Sequence, residues 1–122
     1  MRNTQFRLRI EDQIVGFMRS LKSGAFYSKD GYAWVGAEIQ YEIIDPCLGL
    51  TDLNQNTIYA NDILEVKHEN KTTQAFVVFD EALKQFILFS VDGEDVLADD
   101  AELYLRNTSF RRIAYTFQQL PS

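Results

Sequence analysis

Alternation of apolar and polar side chains with a period of two constrains this chain most. Phe6, Leu8 and Ile10 alternate with Arg7 and Arg9. That is the pattern of a half-buried strand, because successive strand residues point to opposite faces. Residues 13–18 continue in extended style, with Gly16 marking a bulge or a crowded site. Residues 24–27 and 32–39 flank Ser28-Lys29-Asp30-Gly31. There Asp tolerates the left-handed region and Gly supplies positive φ, so the spacing predicts a hairpin. Residues 40–44 are β-branched and aromatic and are expected to stop at Asp45-Pro46, where proline ends the strand. Residues 63–66, 75–79 and 86–91 read as three short apolar strands, and 110–117 as the last. One stretch departs from this period. Leu97, Ala101, Leu103 and Leu105 predict a short helical turn near 98–106, with Asp99 or Asp100 as its N-cap. Short strands separated by turns every eight to twelve residues or so mean an all-β domain, a small barrel or a sandwich.

The chain has 122 residues, 46% of them apolar and sixteen aromatic. That composition is too apolar for a disordered chain and fits one compact domain. The one internal boundary falls at Pro46. It separates a 1–46 N-terminal β extension, expected to pack on the rest, from a 47–122 core. No apolar run approaches the roughly eighteen residues of a membrane-spanning helix. Met1 to Ile10 alternates arginine with apolar residues, which is not the pattern of a secretory signal. Cys47 is a single cysteine and His68 a single histidine. They make neither an intramolecular disulfide nor, unaided, a zinc site. The expected setting is a reducing cytoplasm, in which the Asn-x-Thr/Ser triplets at Asn70 and Asn107 carry no glycan.

Net charge is −6, unevenly placed: residues 1–29 carry +4, 30–105 carry −13 and 106–122 carry +3. An acidic chain is a poor nucleic-acid binder, since that affinity comes mostly from neutralising phosphates. The distribution instead suggests contact between copies. Arg7, Arg9, Arg111 and Arg112 on terminal strands would meet the carboxylates Asp92, Glu94, Asp95, Asp99, Asp100 and Glu102. The expectation is a homo-oligomer, with a host protein as the other possible partner.

Four patterns invite chemistry. Asp52-x-Asn54-x-Asn56 imitates the start of a calcium loop, but Thr57 stands where that loop needs Gly and Ile63 where it needs a bidentate Glu. The expected role of Asp52, Asn54, Asn56, Asn61 and Asp62 is therefore an ordered turn whose side chains cap backbone N–H groups. The 92–102 carboxylates fit a solvated loop, an interaction face or, if they converge with Asp52 or Asp62, a metal site. Cys47 and His68 would make a nucleophile only as a pair; a cysteine beside proline reads as a small packed residue. Phe26, Tyr27, Tyr32, Trp34 and Tyr41, with Lys22 and Lys29 nearby, could stack single-stranded bases, or could form a hairpin core with one exposed face. There is no Gly-rich phosphate loop and no Gly-x-Ser-x-Gly elbow. No catalytic residue, cofactor or metal is expected.

Residues 49–66 read Gly-Leu-Thr-Asp-Leu-Asn-Gln-Asn-Thr-Ile-Tyr-Ala-Asn-Asp-Ile-Leu-Glu-Val. This resembles the hallmark T-G-L-x-D-x-N-G-x-x-I-Y-E-G-D-I-V-x-V of the YopX-like family of bacteriophage and prophage proteins. Gly49, Leu50, Asp52, Asn54, Ile58, Tyr59, Asp62, Ile63 and Val66 fall on matching positions. Gln5-Phe6-Arg7 is similar to the family's opening K-F-R. Phe79-Asp80 with Phe86 matches its middle strand pair, and Ile113 to Phe117 its closing I-G-N-I-Y. The departures are Gln55 for Gly, Ala60-Asn61 for Glu-Gly and Ala114 for Gly; Asn56 and Asn61 can take a left-handed conformation in their place. The resemblance implies an SH3-like β-barrel core over 47–122, preceded by N-terminal strands, in the cytoplasm of a bacterial host. It carries over no catalytic residue. The function expected of the chain is that of a non-enzymatic accessory protein working as an interaction or self-assembling module. The alternatives are an acidic inhibitor of a host nucleic-acid-handling or defence protein, and a metal-dependent enzyme using the 92–102 carboxylates.

Overall fold

A computed structural model describes residues 5–34, 37–92 and 95–118. The fold is mostly β, with two antiparallel sheets and one short helix. The chain divides into two compact units, Met1–Cys47 and Leu48–Ser122. No helix among the described residues is long and apolar enough to cross a membrane.

The N-terminal unit is a sheet of β1 (Gln5–Ile10), β2 (Gln13–Leu21), β3 (Gly24–Ser28) and the start of β4 (Ile43–Thr51), in the order β3-β2-β1-β4. Between β1 and β2 the register slips: Leu8 faces Gly16, but Arg9 faces Ile14. One residue of β2 is thus extra, which makes this a bulge. Gly16 is also crowded. A Cβ placed on it would stand 2.5 Å from Ile39 Cδ1 and 2.8 Å from the Ser28 carbonyl oxygen. The 37–42 segment therefore seats directly on the sheet because residue 16 has no side chain.

Two sequence expectations are corrected in this unit. The hairpin partner of 24–27 is β2, with Met18 opposite Tyr27 and Arg19 opposite Phe26, while the described residues of 32–42 form no strand. One reason is Gly16, on which Ile39 seats; the other lies in Asp30. Its Oδ1 accepts hydrogen bonds from the Tyr32 and Ala33 N–H groups at 2.8 and 3.0 Å, and from the Ser28 hydroxyl at 3.0 Å. That side chain holds the backbone in a turn where a ladder would need the same donors. Nor does Pro46 end a strand, since β4 runs through it. What ends there is the β1–β4 ladder, whose last pair is Phe6 with Pro46. Proline lacks the N–H a continuing ladder would use. Beyond it β4 continues, with β5 (Thr57–Tyr59) as its other neighbour.

The C-terminal unit carries a five-stranded sheet in the order β10-β6-β7-β8-β9. Its strands are β6 (Asp62–His68), β7 (Lys71–Asp80), β8 (Gln85–Ser90), β9 (Val96–Ala98) and β10 (Ser109–Tyr115). β6 and β7 join through Glu69-Asn70, both with positive φ (52° and 67°), the geometry of a two-residue hairpin turn that matches strand twist. Asp80 Oδ1 caps the β7–β8 turn by accepting from the Ala82 and Leu83 N–H groups. Alternate residues share a face, so Leu64 and Val66, Ala75 and Val77, and Phe86 and Leu88 build one core with Leu48, Ile58 and Phe110.

The helix α1 (Ala101–Arg106) starts where the sequence places it: the Asp100 carboxylate accepts from the Leu103 N–H at 3.1 Å. Six residues cannot hold a helix in water by themselves. Ala101 and Leu105, one turn apart and both fully buried on the sheet core, hold this one. Truncating a buried Leu costs about 2–5 kcal/mol and losing a cap about 1 kcal/mol, so packing decides the helix and capping sets its start.

Gly16→Ala should lower the urea midpoint of the N-terminal unit by the equivalent of about 1–3 kcal/mol, because the Ser28 carbonyl cannot yield as a side chain would. Urea denaturation followed by tryptophan fluorescence from Trp34 measures this; an unchanged midpoint would remove the crowding argument.

Candidate functional site

Charged residues are placed first by what they do to the fold. Arg7 faces Asp45 across the β1–β4 ladder. Arg9, two residues on, shares that face. The Asp45 carboxylate takes Arg7 Nε at 3.0 Å, Arg9 Nε at 2.8 Å and Arg9 Nη2 at 2.9 Å. All three residues are buried, Asp45 completely. The expected outward face of β1 is thus an inward one, and Ile10, expected inward, is exposed. Arg7 and Arg9 are therefore corrected from an interaction surface to an internal ion cluster. The cause is a carboxylate at the facing register, which makes it possible to bury guanidinium groups that would otherwise stay in water.

A second carboxylate organises the C-terminal unit. Asp52 Oδ1 accepts from the Asn54 and Asn56 N–H groups at 2.9 and 2.8 Å. Oδ2 accepts from the Asn56 side chain and, sixty residues away, from the Arg112 N–H at 2.8 Å. The Leu53 N–H adds a bond to the Phe110 carbonyl. This loop thus covers the outer edge of β10 and satisfies groups that would otherwise template further pairing. Burial pushes the Asp52 pKa up, but the bonds from Arg112, Asn56 and Asn54 outweigh it and hold it below the ordinary Asp value. The lone pairs a calcium ion would need are committed to N–H donors. Asp62, fully buried, accepts from the Tyr59 N–H at 2.8 Å and lies 3.9 Å from Arg112 Nη1. Left-handed backbone occurs at Asn61 and at Gln55, with φ of 74° and 66°. So glutamine itself, and not Asn56, takes the conformation for which the family hallmark has glycine.

Among the described residues the acidic run does not converge. Asp92 and Asp95 are exposed on either side of residues outside the described set, Glu94 among them. Asp99 is exposed, Asp100 caps α1, and Glu102 pairs with Arg106 at 2.8 Å. No group of three metal-ligating side chains occurs among the described residues. Arg111 is exposed and pairs with Glu65 at 3.0 Å; their hydrogen bond raises the arginine's pKa and lowers the glutamate's. Arg112 also reaches the Thr57 carbonyl at 3.4 Å and lies over the Tyr115 ring. Cys47 is buried in β4, and His68 stands at the end of β6 beside the Tyr104 ring.

The aromatic set does not lie on one hairpin, because the described residues of 32–42 form no strand. Tyr32 is 86% exposed, while Phe26 and Tyr41 are also exposed. Trp34 is half-buried with the Arg19 guanidinium 4.1 Å from its ring centre. Tyr27 instead lines a cleft of about 410 Å³ with Ser28, Lys29, Asp30, Ala33, Ala37, Glu38 and Ile39. Its walls are fixed by the Asp30 turn and by Ile39 seated at Gly16. Desolvation raises the Tyr27 pKa, and nearby Glu38 and Tyr41 raise it further, so the phenol stays protonated. The Asp30 carboxyl is held below its ordinary value by the N–H groups of Ala33 and Tyr32 and by the Ser28 hydroxyl, so it stays ionised. Sequence reasoning missed this cleft, because nothing local shows that 37–39 seats on the sheet instead of joining it.

No family model, curated protein or solved structure matches the chain. The site chemistry therefore rests on the geometry. Asp45→Ala should destabilise the N-terminal unit by about 3–5 kcal/mol in chemical denaturation, since it strands buried guanidinium groups. Asp52→Ala should cost about 2–4 kcal/mol, because it leaves several N–H donors without their acceptor. Since the folded Asp52 pKa is depressed, its contribution is complete above the unfolded value near 4 and is lost as pH falls through the folded one. Asp52→Asn should flatten the stability-versus-pH curve below about pH 4; a slope unchanged from wild type would refute this role.

Proposed function

We propose that this chain is a non-enzymatic accessory protein of phage or prophage origin, acting in its bacterial host's cytoplasm by binding another protein through an anionic edge. The observation that carries the reading is a charge imbalance within the C-terminal unit. Asp92, Asp95, Asp99 and Asp100 are exposed around β9 and the start of α1, and none forms an ion pair among the described residues. The described arginines of that unit are already engaged: Arg106 with Glu102, Arg111 with Glu65, and Arg112 with Asp62 and the Thr57 carbonyl. This weakens self-assembly by charge as the mode of binding, since Arg7 and Arg9 are buried too. It favours a basic surface on a different protein, such as one that handles nucleic acid. The phage origin rests on the segment 49–66. So does an SH3-like plan for the C-terminal unit, which gains support from the loop bonds that tie residues 52–53 to β10.

The test is affinity capture from bacterial lysate, comparing wild type with an Asp92→Asn, Asp95→Asn, Asp99→Asn triple variant. The expected result is a basic protein retained by the wild type and lost by the variant. It should also be lost in about 1 M salt, where the screening length is about 3 Å. Light scattering that shows a salt-sensitive dimer of the isolated protein would restore the self-assembly reading. Retention that ignores both charge and salt would overturn the anionic edge.

A further inference from the structure

We propose that one face of the β2–β3 hairpin is a stacking platform for single-stranded nucleic acid. It lies in the N-terminal unit and is independent of the anionic edge. Register and alternation divide the side chains of these strands between two faces. Gly16, Met18 and Tyr27 share the one on which Ile39 seats. Phe17, Arg19 and Phe26 share the other. There Arg19 stands directly opposite Phe26, and its guanidinium lies 4.1 Å from the centre of the Trp34 ring. A ring, a planar cation and a second ring thus follow one another on one surface. Phe26 keeps 37% of its surface exposed, and Tyr32, two residues before Trp34, keeps 86%. Bases stack on such rings and on guanidinium planes. The cations beside them are free to meet phosphates. Arg19, Lys22 and Lys29 are exposed and form no ion pair among the described residues. Lys22 precedes β3 and Lys29 follows it, so the two flank Phe26. The chain is acidic overall, which counts against nucleic acid, but the carboxylates of this unit lie elsewhere or are engaged. Asp45 is held by Arg7 and Arg9, and Asp30 by its turn. Glu38 lies with Tyr27 and Ile39, on the opposite face. Glu11 and Asp12 form the β1–β2 turn, and the Glu42 N–H bonds to the Arg9 carbonyl beside it. From the start of β2 to Arg19 is about 20 Å at roughly 3.3 Å per residue, which is more than two screening lengths at physiological salt. Cations without partners beside exposed rings fit a ligand that carries planar apolar groups on an anionic chain. A duplex keeps its base faces stacked inward, so the single strand is the form favoured.

The test is fluorescence anisotropy of labelled oligo-dT and oligo-rU of about fifteen nucleotides, with an abasic strand of equal length and polyglutamate as competitors. Emission from Trp34, the single tryptophan of the chain, locates the site. The expected result is saturable binding of at least one oligonucleotide with quenching of Trp34, and binding of both competitors weaker by about tenfold or more. Tighter binding of one oligonucleotide identifies the sugar; equal binding shows that base faces and phosphates suffice. Between about 50 and about 200 mM salt the affinity should fall about twentyfold, the effect of three cations on a single strand. Phe26→Ala should weaken binding about tenfold. Lys22→Gln with Lys29→Gln, exposed changes outside the strands, should reduce the slope of log affinity against log salt by about 1.4. No saturable binding at up to about 0.1 mM protein, equal competition by the abasic strand, or an unchanged salt slope in the lysine variant would each overturn the proposal. So would equal competition by polyglutamate, which would point to an acidic protein instead.

Discussion

A carboxylate can be buried only if its charge is matched, and much of this structure follows from three that are. Asp45 in the N-terminal unit is met by two guanidinium groups. Asp52 and Asp62 in the C-terminal unit are met mainly by backbone N–H groups, with Arg112 near Asp62. The two solutions differ in consequence. The Asp45 cluster draws charged side chains onto a face of β1 that would otherwise be solvated, so that this face is buried as well as the one that carries Leu8. Asp52 gathers a loop and a strand sixty residues apart, so it decides how an open sheet edge is finished.

Edge protection connects this chemistry to function. A free strand edge invites pairing with other chains. On β10 the Phe110 carbonyl and the Arg112 N–H are taken by the 52–53 loop. At the opposite end of that sheet β9 has three residues and is followed by the capped helix. The exposed carboxylates gather at that end. Charge is thus left over where the fold does not consume it, at the edge for which binding is proposed.

Much of the fold was legible because it is written locally. The strands β6, β7 and β8 contain short apolar runs bounded by turn residues, a local signal, although which side of each run is buried alternates only in the fold. The Asp80 turn lies between two such runs, and Asp100 precedes a run spaced at i and i+4. The errors came where a residue had two local meanings and a distant one chose between them. Asp30-Gly31 is a turn in either reading, but whether the chain then doubles back or crosses the sheet depends on Gly16, fourteen residues earlier. Asp45-Pro46 has the composition of a strand end. It lies inside a strand because Asp45 finds Arg7 and Arg9, and because the β1 ladder ends where the missing N–H would be felt.

The amino-acid sequence alone therefore determined the all-β class, the approximate strand positions, the helical turn with its cap, and the capping nature of the Asp52 loop. Each depends on periodicity or on bonds between near neighbours. Tertiary structure decided which charges are buried, which aromatic rings face outward, and where a cleft opens. Those outcomes depend on registers between strands far apart in the chain, and a one-residue slip, as at the Leu8–Arg9 bulge, reverses the face a side chain occupies.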